Sequence, residues 1–431
     1  MDFCKRNCHV FSIVLCFLLF STQLSICSFN KSAVLNKSFI ESMDKLVSYS
    51  KMPPNPDVYP GLYDKKGNDL KNTRSSMPSR SYIEKQSAVK KQSTPSQGST
   101  ERILVIPIQF SNVTFQADHD SVYFQDIMSD LKDYYEKNSG YYKDNTKGIT
   151  IDYVVAPVVT SIHTLEFYGE DMTYLGDDEG NVCIYELARE ALQLLDNQPE
   201  GFDFTSFDTS DADNIIDHIF IIHAGDGQEE SGDADDIWSH RWGIDIDGEN
   251  VDGVVAYNYS CVPESGTLGV YAHEFGHDIG LPDLYDTNHF TDGLTWGVGA
   301  WDIMGTGSWN HLPGEPGGSS PSNLSAWSRM HLGWVSPVNI TVNGSYSLTN
   351  TDGYSDVYEF WTNGNSSGDE YYLAEYRRKI GYDSALPGQG LLVWHIDEEQ
   401  IEANITSNTV NADEERLGVE LEQADGSWDL W

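Results

Sequence analysis

Apolar positions along this chain change their rhythm several times, and the changes mark out its elements. Residues 10–20 form one apolar run behind Lys5 and Arg6, which then gives way to small and polar residues. A basic start followed by an apolar stretch shorter than the ~20 residues that span a bilayer describes a secretory signal segment, residues 1–27. Over residues 28–100 the pattern is weak. A helix is expected at 37–48, followed by MPPNPDVYPG and a tract rich in Ser, Lys and Gln. That profile fits a removable pro-segment with an exposed linker, or a plain solubilising arm.

Order is expected to begin near Arg102. ILVIPIQF reads as a buried strand, and Tyr123, Ile127, Leu131 and Tyr134, three or four residues apart, predict a helix over 121–139. ITIDYVVAPVV is β-rich. Residues 181–195 form an amphipathic pattern with Ile184, Leu187, Ala188, Ala191, Leu192 and Leu195 on one face. Residues 215–223, IIDHIFIIH, read as a central strand because their second half is apolar without alternation. Strands alternating with helices imply an α/β (α+β) layered domain over 101–331. Beyond it, YSLT, DVYEFW, YYLAEY and GLLVWHID, separated by Gly, Asn and Asp, predict a β-rich portion over 332–431.

Composition adds limits. At 39% hydrophobic and 12% aromatic residues, the chain has ample material for a packed globule. Residues 1–100 hold 14 Lys and Arg against 7 Asp and Glu, a net of +7; the rest hold 12 against 60, a net of −48, which together give −41. So acidic a body repels nucleic acid and anionic membranes, which sets nucleic acid aside as a partner, and no stable membrane span is expected once the signal segment is removed. A basic leader would dock on it by charge. Four of the six cysteines, Cys4, Cys8, Cys16 and Cys27, lie in or beside the signal segment, so Cys183 and Cys261 leave room for at most one bridge, expected in a secreted chain, or stay as two buried free thiols. Sequons at Asn112, Asn258, Asn323, Asn339, Asn343, Asn365 and Asn404 are expected to be surface acceptor sites.

Candidate chemistry centres on His273-Glu-Phe-Gly-His277. Val270, Phe275 and Ile279 supply apolar positions for a helix over 268–279, Gly280 suits its C-terminal cap, and Pro282 prevents resumption. Histidines four apart share a helix face, so His273 and His277 present two imidazoles to one ion, as zinc prefers. Glu274 follows the first ligand and is placed to take a proton from an attacking water and pass it to a leaving amine. Six residues beyond His277 stands Asp283, an acceptable oxygen ligand; Asp278 and Asp286 are nearby alternatives. Plainer readings are helix-surface histidines and a turn-forming aspartate. A second loop, FDTSDADNIID, brings together Asp208, Asp211, Asp213 and Asp217, a calcium-like alternation or a solvated acidic turn. Asp233, Asp235 and Asp236 form a weaker cluster of the same kind. Trp238, His240, Trp242, Trp296, Trp301 and Trp309 either line a cleft or stack in the core. His240, Tyr285 and His311 are candidates to stabilise an oxyanion.

His-Glu-x-x-His-x-x-Gly-x-x-Asp at 273–283 resembles the metzincin signature with its third His replaced by Asp. The blocks ILVIPIQF, DHIFIIHAGDGQEESG, DIWSHRW, GVYAHEFGHDIGLPDLYD, GAWDIMGTGSW, YYLAEYRRK and GLLVWHID resemble the immune inhibitor A family of secreted bacterial metallopeptidases, peptidase family M6. The resemblance implies a zincin fold with an active-site helix, zinc on His273 and His277, catalysis by Glu274, and a methionine turn at Met304 beneath the metal. It implies a zinc-dependent proenzyme cutting proteins or peptides, its own basic pro-segment a partner. Calcium is weakened by Thr209 and Asn214, which depart from the relatives' usual loop pattern. Relatives commonly continue through further β domains, so the C-terminal portion is expected to be truncated here. Two other functions stay open: a zinc amidohydrolase acting on a non-protein polymer, and a non-catalytic binding protein on the same scaffold.

Overall fold

The computed structural model describes residues 50–53, 55, 95–169, 185–209, 213–244, 248–287, 296–351, 354–361, 368–413 and 415–424. The signal segment, the helix expected at 37–48, Ile184, Cys183 and Asp211 lie outside the described residues.

The main sheet is built on the apolar run seen in the sequence. Strand β1 is Ser50–Lys51, β2 is Thr100–Gln109, β3 is Thr150–Val155, β4 is Val159–Thr160, β5 is His218–His223, β6 is His240–Gly243 and β7 is Asn258–Pro263. Their order is β1-β6-β7-β5-β2-β3, with β4 beside the end of β2. The inner pairs run parallel, Ile103 opposite His218 and Phe220 opposite Ser260, whereas β6 and β1 are antiparallel additions at one edge.

Side chains alternate across a pleat, and here both faces are covered. Ile103, Val105, Phe220, Ile222 and Val262 face one core; Leu104, Ile106, Ile108, Ile219, Ile221 and Cys261 face the other. That two-sided burial is why the strands read as unbroken apolar runs. Helix α1, Ser121–Asn138, starts where the Asp120 carboxylate accepts from the Val122 and Tyr123 amides. Its buried face is Phe124, Met128, Leu131 and Tyr135, with Tyr134; Tyr123 and Ile127 are only half-buried, so the face is rotated from the expected one. Helix α2, Tyr185–Asp196, covers the opposite side with Leu187, Ala188, Ala191, Leu192 and Leu195, as its spacing predicts.

Helix α3, Leu268–Asp278, is buried all round, from Gly269 to Asp278. A β-carbon at Gly269 would lie 1.8 Å from the Ser308 carbonyl oxygen, so only glycine permits this approach. The Tyr135 hydroxyl donates to the Ala272 carbonyl at 2.5 Å, tying α3 to α1.

The C-terminal portion is β-rich as expected, but it shares the core under α3. After the short helix α4, Ala326–His331, come β8, Val338–Asn339, β9, Val357–Trp361, β10, Glu370–Arg377, β11, Gly390–Asp397, and β12, Val419–Leu421. They form one sheet in that order. YSLT is not a strand; it runs as irregular chain before β9. Leu373, Trp394 and Ile396 pack in the same cluster as Val270, Phe275 and Met304. A buried charge clamp joins the parts: Arg329 reaches Glu375 at 2.8 Å, and Arg377 pairs with Asp383, whose other contact is the Asn323 amide. Asn323 is therefore buried, its side chain held by Asn138, and is not the surface acceptor its sequon suggested. Cys261 is free and buried, so the bridge expected for it is not formed.

Candidate metal centre

Helix α3 ends by a mechanism readable in its sequence. Gly280 takes φ +107°, a region closed to most side chains. The Leu281 amide then reaches back to the Gly276 carbonyl at 2.9 Å, and the Gly280 amide to the His277 carbonyl at 3.0 Å, a Schellman motif that reverses the chain over the helix end. This reversal returns Asp283 to the face that carries the two histidines.

The three side chains converge. His273 Nε2 and His277 Nε2 are 3.0 Å apart, and Asp283 Oδ1 is 3.2 Å from each. Both imidazoles donate through Nδ1 to backbone carbonyls, His273 to Ile303 at 2.8 Å and His277 to Leu281 at 2.9 Å. With Nδ1 the donor on each ring, Nε2 is the nitrogen that carries the lone pair. Two lone pairs and a carboxylate oxygen facing one another in a buried space repel unless a cation lies between them. A tetrahedron with the ~2.0–2.1 Å bonds of zinc has edges of roughly 3.3 Å, close to the observed spacing. Among the described residues this trio is the group of His, Cys, Asp or Glu able to hold a metal ion. The Asp283 carboxyl is held below its usual range, by the two histidines against the effect of burial.

Glu274 is fully buried, and neither carboxylate oxygen has a hydrogen-bond partner. Burial raises its pKa well above the ordinary value, Asp283 and Glu229 raise it further, and Arg241 and the nearby Met52 amide oppose them. Met304 lies on the underside of α3: a β-carbon at Gly276 would meet its sulfur at 2.5 Å. Its amide donates to Asp302 at 2.8 Å, and the preceding residue, Ile303, supplies the carbonyl that holds His273.

Other expected residues are placed as follows. Asp278 turns away from the trio to His218, 2.6 Å. Both ring nitrogens of His240 are spent on the sheet side, on Trp238 O and the Tyr259 hydroxyl, whereas the Tyr285 ring stands 6.5 Å from that of His273. Trp242 is core. In the acidic loop, Asp217 accepts from the Thr209 amide and hydroxyl, Asp208 from the Asn214 amide and Asp213 from the Ile215 amide. These three carboxylates pin the loop's backbone.

Residues 50–53 lie beside the site. Ser50 pairs with Arg241 and Lys51 with His240 on β6. The Met52 amide donates to Ser239 O at 3.1 Å, and its carbonyl accepts from the Trp238 indole at 2.9 Å. The Trp309 indole reaches Pro53 O at 2.8 Å. Met52 is fully buried in the core cluster that holds α3. Over residues 50–53 the described contacts are thus backbone pairing, two indole bonds to backbone carbonyls and the buried Met52 side chain.

His218, Glu101, Asp278 and Arg241 form a buried charged group beneath the helix, which the sequence reading missed because its members come from four separate elements. Burial works against a charged His218, yet Asp278 and Glu101 push its pKa up to about 10. A group raised from 6.5 to about 10 on folding adds stability fully below 6.5 and loses it as pH climbs to about 10. The melting temperature is expected to fall by several degrees over that window. Melting curves of His218→Gln at each pH check it: the variant should lack this component of the fall.

A mixed α+β domain carrying a buried His/His/Asp cluster with an unpaired glutamate beside it defines a metal-dependent class of protein. Residues 107–335, more than half of the chain, match the immune inhibitor A peptidase M6 catalytic domain, and the chain belongs to that family. It is 34% identical over 221 residues to immune inhibitor A of Bacillus thuringiensis subsp. alesti, covering 45% of this chain and 30% of that protein. With the pre-pro-metalloprotease PrtV of Vibrio cholerae serotype O1 (strain M66-2) it shares 31% over 245 residues, 49% of this chain and 25% of the other. The matches thus span under a third of these relatives' lengths. The crystal structure of OgpA from Akkermansia muciniphila aligns with 73% of this chain and 89% of its own at a TM-score of 0.32 and 14% identity.

Proposed function

We propose that the chain is a secreted zinc endopeptidase made as a latent precursor. The observation that carries this reading is the convergence of His273, His277 and Asp283 within 3.2 Å, beside a buried Glu274 with no partner of its own. A zinc ion held by these three would acidify a water molecule and polarise a carbonyl. Glu274, one residue past the first histidine, takes the proton of the attacking water. Its raised proton affinity lets it hold that proton and hand it to the departing amine nitrogen. Met304, packed below Gly276, serves as the floor of a methionine turn of metzincin kind: it fills the gap under the helix while Ile303 O orients His273.

A polypeptide substrate is favoured by the sheet edge. Without β1, strand β6 presents open backbone groups to an extended peptide, the mode by which edges capture strands. Ser50 and Lys51 occupy that place in the precursor, so removal of this segment is the activating event. No helix among the described residues is long and apolar enough to cross a membrane. Asp208, Asp213 and Asp217 are given a loop-holding role, and calcium has no part in the proposed chemistry.

Release of peptides from unfolded casein, abolished by a chelator and restored by zinc, tests the activity. An intact casein with degradation of cell-wall polymer would favour an amidohydrolase instead. Latency has its own test. N-terminal sequencing of the active enzyme should find a start near residues 95–102, and Met52→Glu should activate the uncleaved chain by expelling a charge from the core. Full activity of an uncleaved wild-type chain would refute the latency.

A further inference from the structure

The structure assigns to Asn408 the positioning of the third metal ligand. This rests on the zinc reading above but concerns a residue beyond the matched family stretch, 125 positions from the one it serves.

Asn408 follows helix α5, Glu398–Asn404, and one further turn, Ile405–Ser407. It takes a left-handed conformation, φ 56° and ψ 40°, which asparagine tolerates better than most residues. That backbone sends its side chain inward, and it is 3% exposed. The carboxamide grips Asp283 twice. Its Oδ1 accepts from the Asp283 amide at 2.7 Å, and its Nδ2 donates to Asp283 Oδ2 at 2.5 Å. The first bond decides the second: an N–H must face the amide oxygen, so the NH2 end must face the carboxylate. A charge-assisted bond of this kind is stronger than a neutral one.

The consequence falls on the other carboxylate oxygen. With Oδ2 engaged by Asn408, Oδ1 makes no hydrogen bond and stands 3.2 Å from both histidine nitrogens. Asp283 is held to offer one oxygen in one direction. Asn408 is itself fixed: its carbonyl accepts from Thr287 Oγ1 at 3.0 Å, and Asn411 close by donates to Leu284 O at 2.9 Å and Val419 O at 2.8 Å. The C-terminal sheet therefore bears on the metal centre through β12, Asn411 and Asn408.

Outer partners of metal ligands cost about 10–100-fold in affinity when removed. Zinc affinity, measured against a competing chelator, should fall by about that factor in Asn408→Gly, which keeps the left-handed backbone without strain. The metal-free variant should melt a few degrees below the metal-free wild type, because the buried Asp283 amide loses its acceptor, so zinc affinity is compared at a temperature where both are fully folded. Asn408→Asp, which sets a carboxylate against Oδ2, should lose at least as much. In an Asp283→Ala background, Asn408→Gly should change nothing further, since the group it positions is gone. Wild-type zinc affinity in Asn408→Gly would overturn the assignment, and so would an equal loss in the Asp283→Ala background, the mark of a general structural effect. A wild-type chain that binds no zinc at all would bring down the zinc reading itself, and this inference with it.

Discussion

Glu274→Ala is expected to keep about one zinc per chain and to lose at least ~10²–10⁴-fold in kcat, the usual worth of a general base. The ligands sit on other residues, and their lone pairs are set by Ile303 O and Leu281 O, neither of which the substitution touches. What disappears is the group that takes and returns the proton. A buried, unpartnered carboxylate is costly to a fold, so its removal should not destabilise the chain and should raise the melting temperature slightly. Zinc content, thermal melting and casein turnover on one preparation check all three statements. Retained turnover would refute the mechanism while leaving the metal site standing.

The second large effect is expected at Asp283. Asp283→Ala should weaken zinc by more than the ~10–100-fold of an outer partner, because two imidazoles remain where a catalytic site uses three protein ligands. One of the ion's two charges also loses its compensation in a buried space. Circular dichroism should stay unchanged, since α3 is held by Tyr135, Gly269 packing and the shared core rather than by Asp283. Full zinc occupancy in the variant would hand the role to another carboxylate. Asp278 is the poorer rival, because it is already committed to His218.

Much of the metal centre is local, which is why it was legible in the chain. His273 and His277 share a face through helix periodicity alone, and Gly280 and Pro282 announce the reversal that brings Asp283 back within six residues. The two-sided sheet was legible too, because burial on both faces leaves an unbroken apolar run in ILVIPI and HIFIIH. By contrast, no sequence rule relates Glu101, His218, Arg241 and Asp278, or Arg329 and Glu375. Each is an unremarkable polar residue until strands distant in the chain are laid side by side.

The sequence by itself thus determined the helix, its stop, the His/His/Asp set that converges beside it and the strands that carry the core, since each depends on neighbours within one or two turns of chain. Only the tertiary structure decided which oxygen of Asp283 faces the histidines, that Ser50 and Lys51 pair with the edge of β6, and that Asn408, 125 positions on, grips Asp283. Those features are long-range pairings. They are selected when the buried polar groups of one element must find donors or acceptors on another, and local propensity carries no record of that requirement.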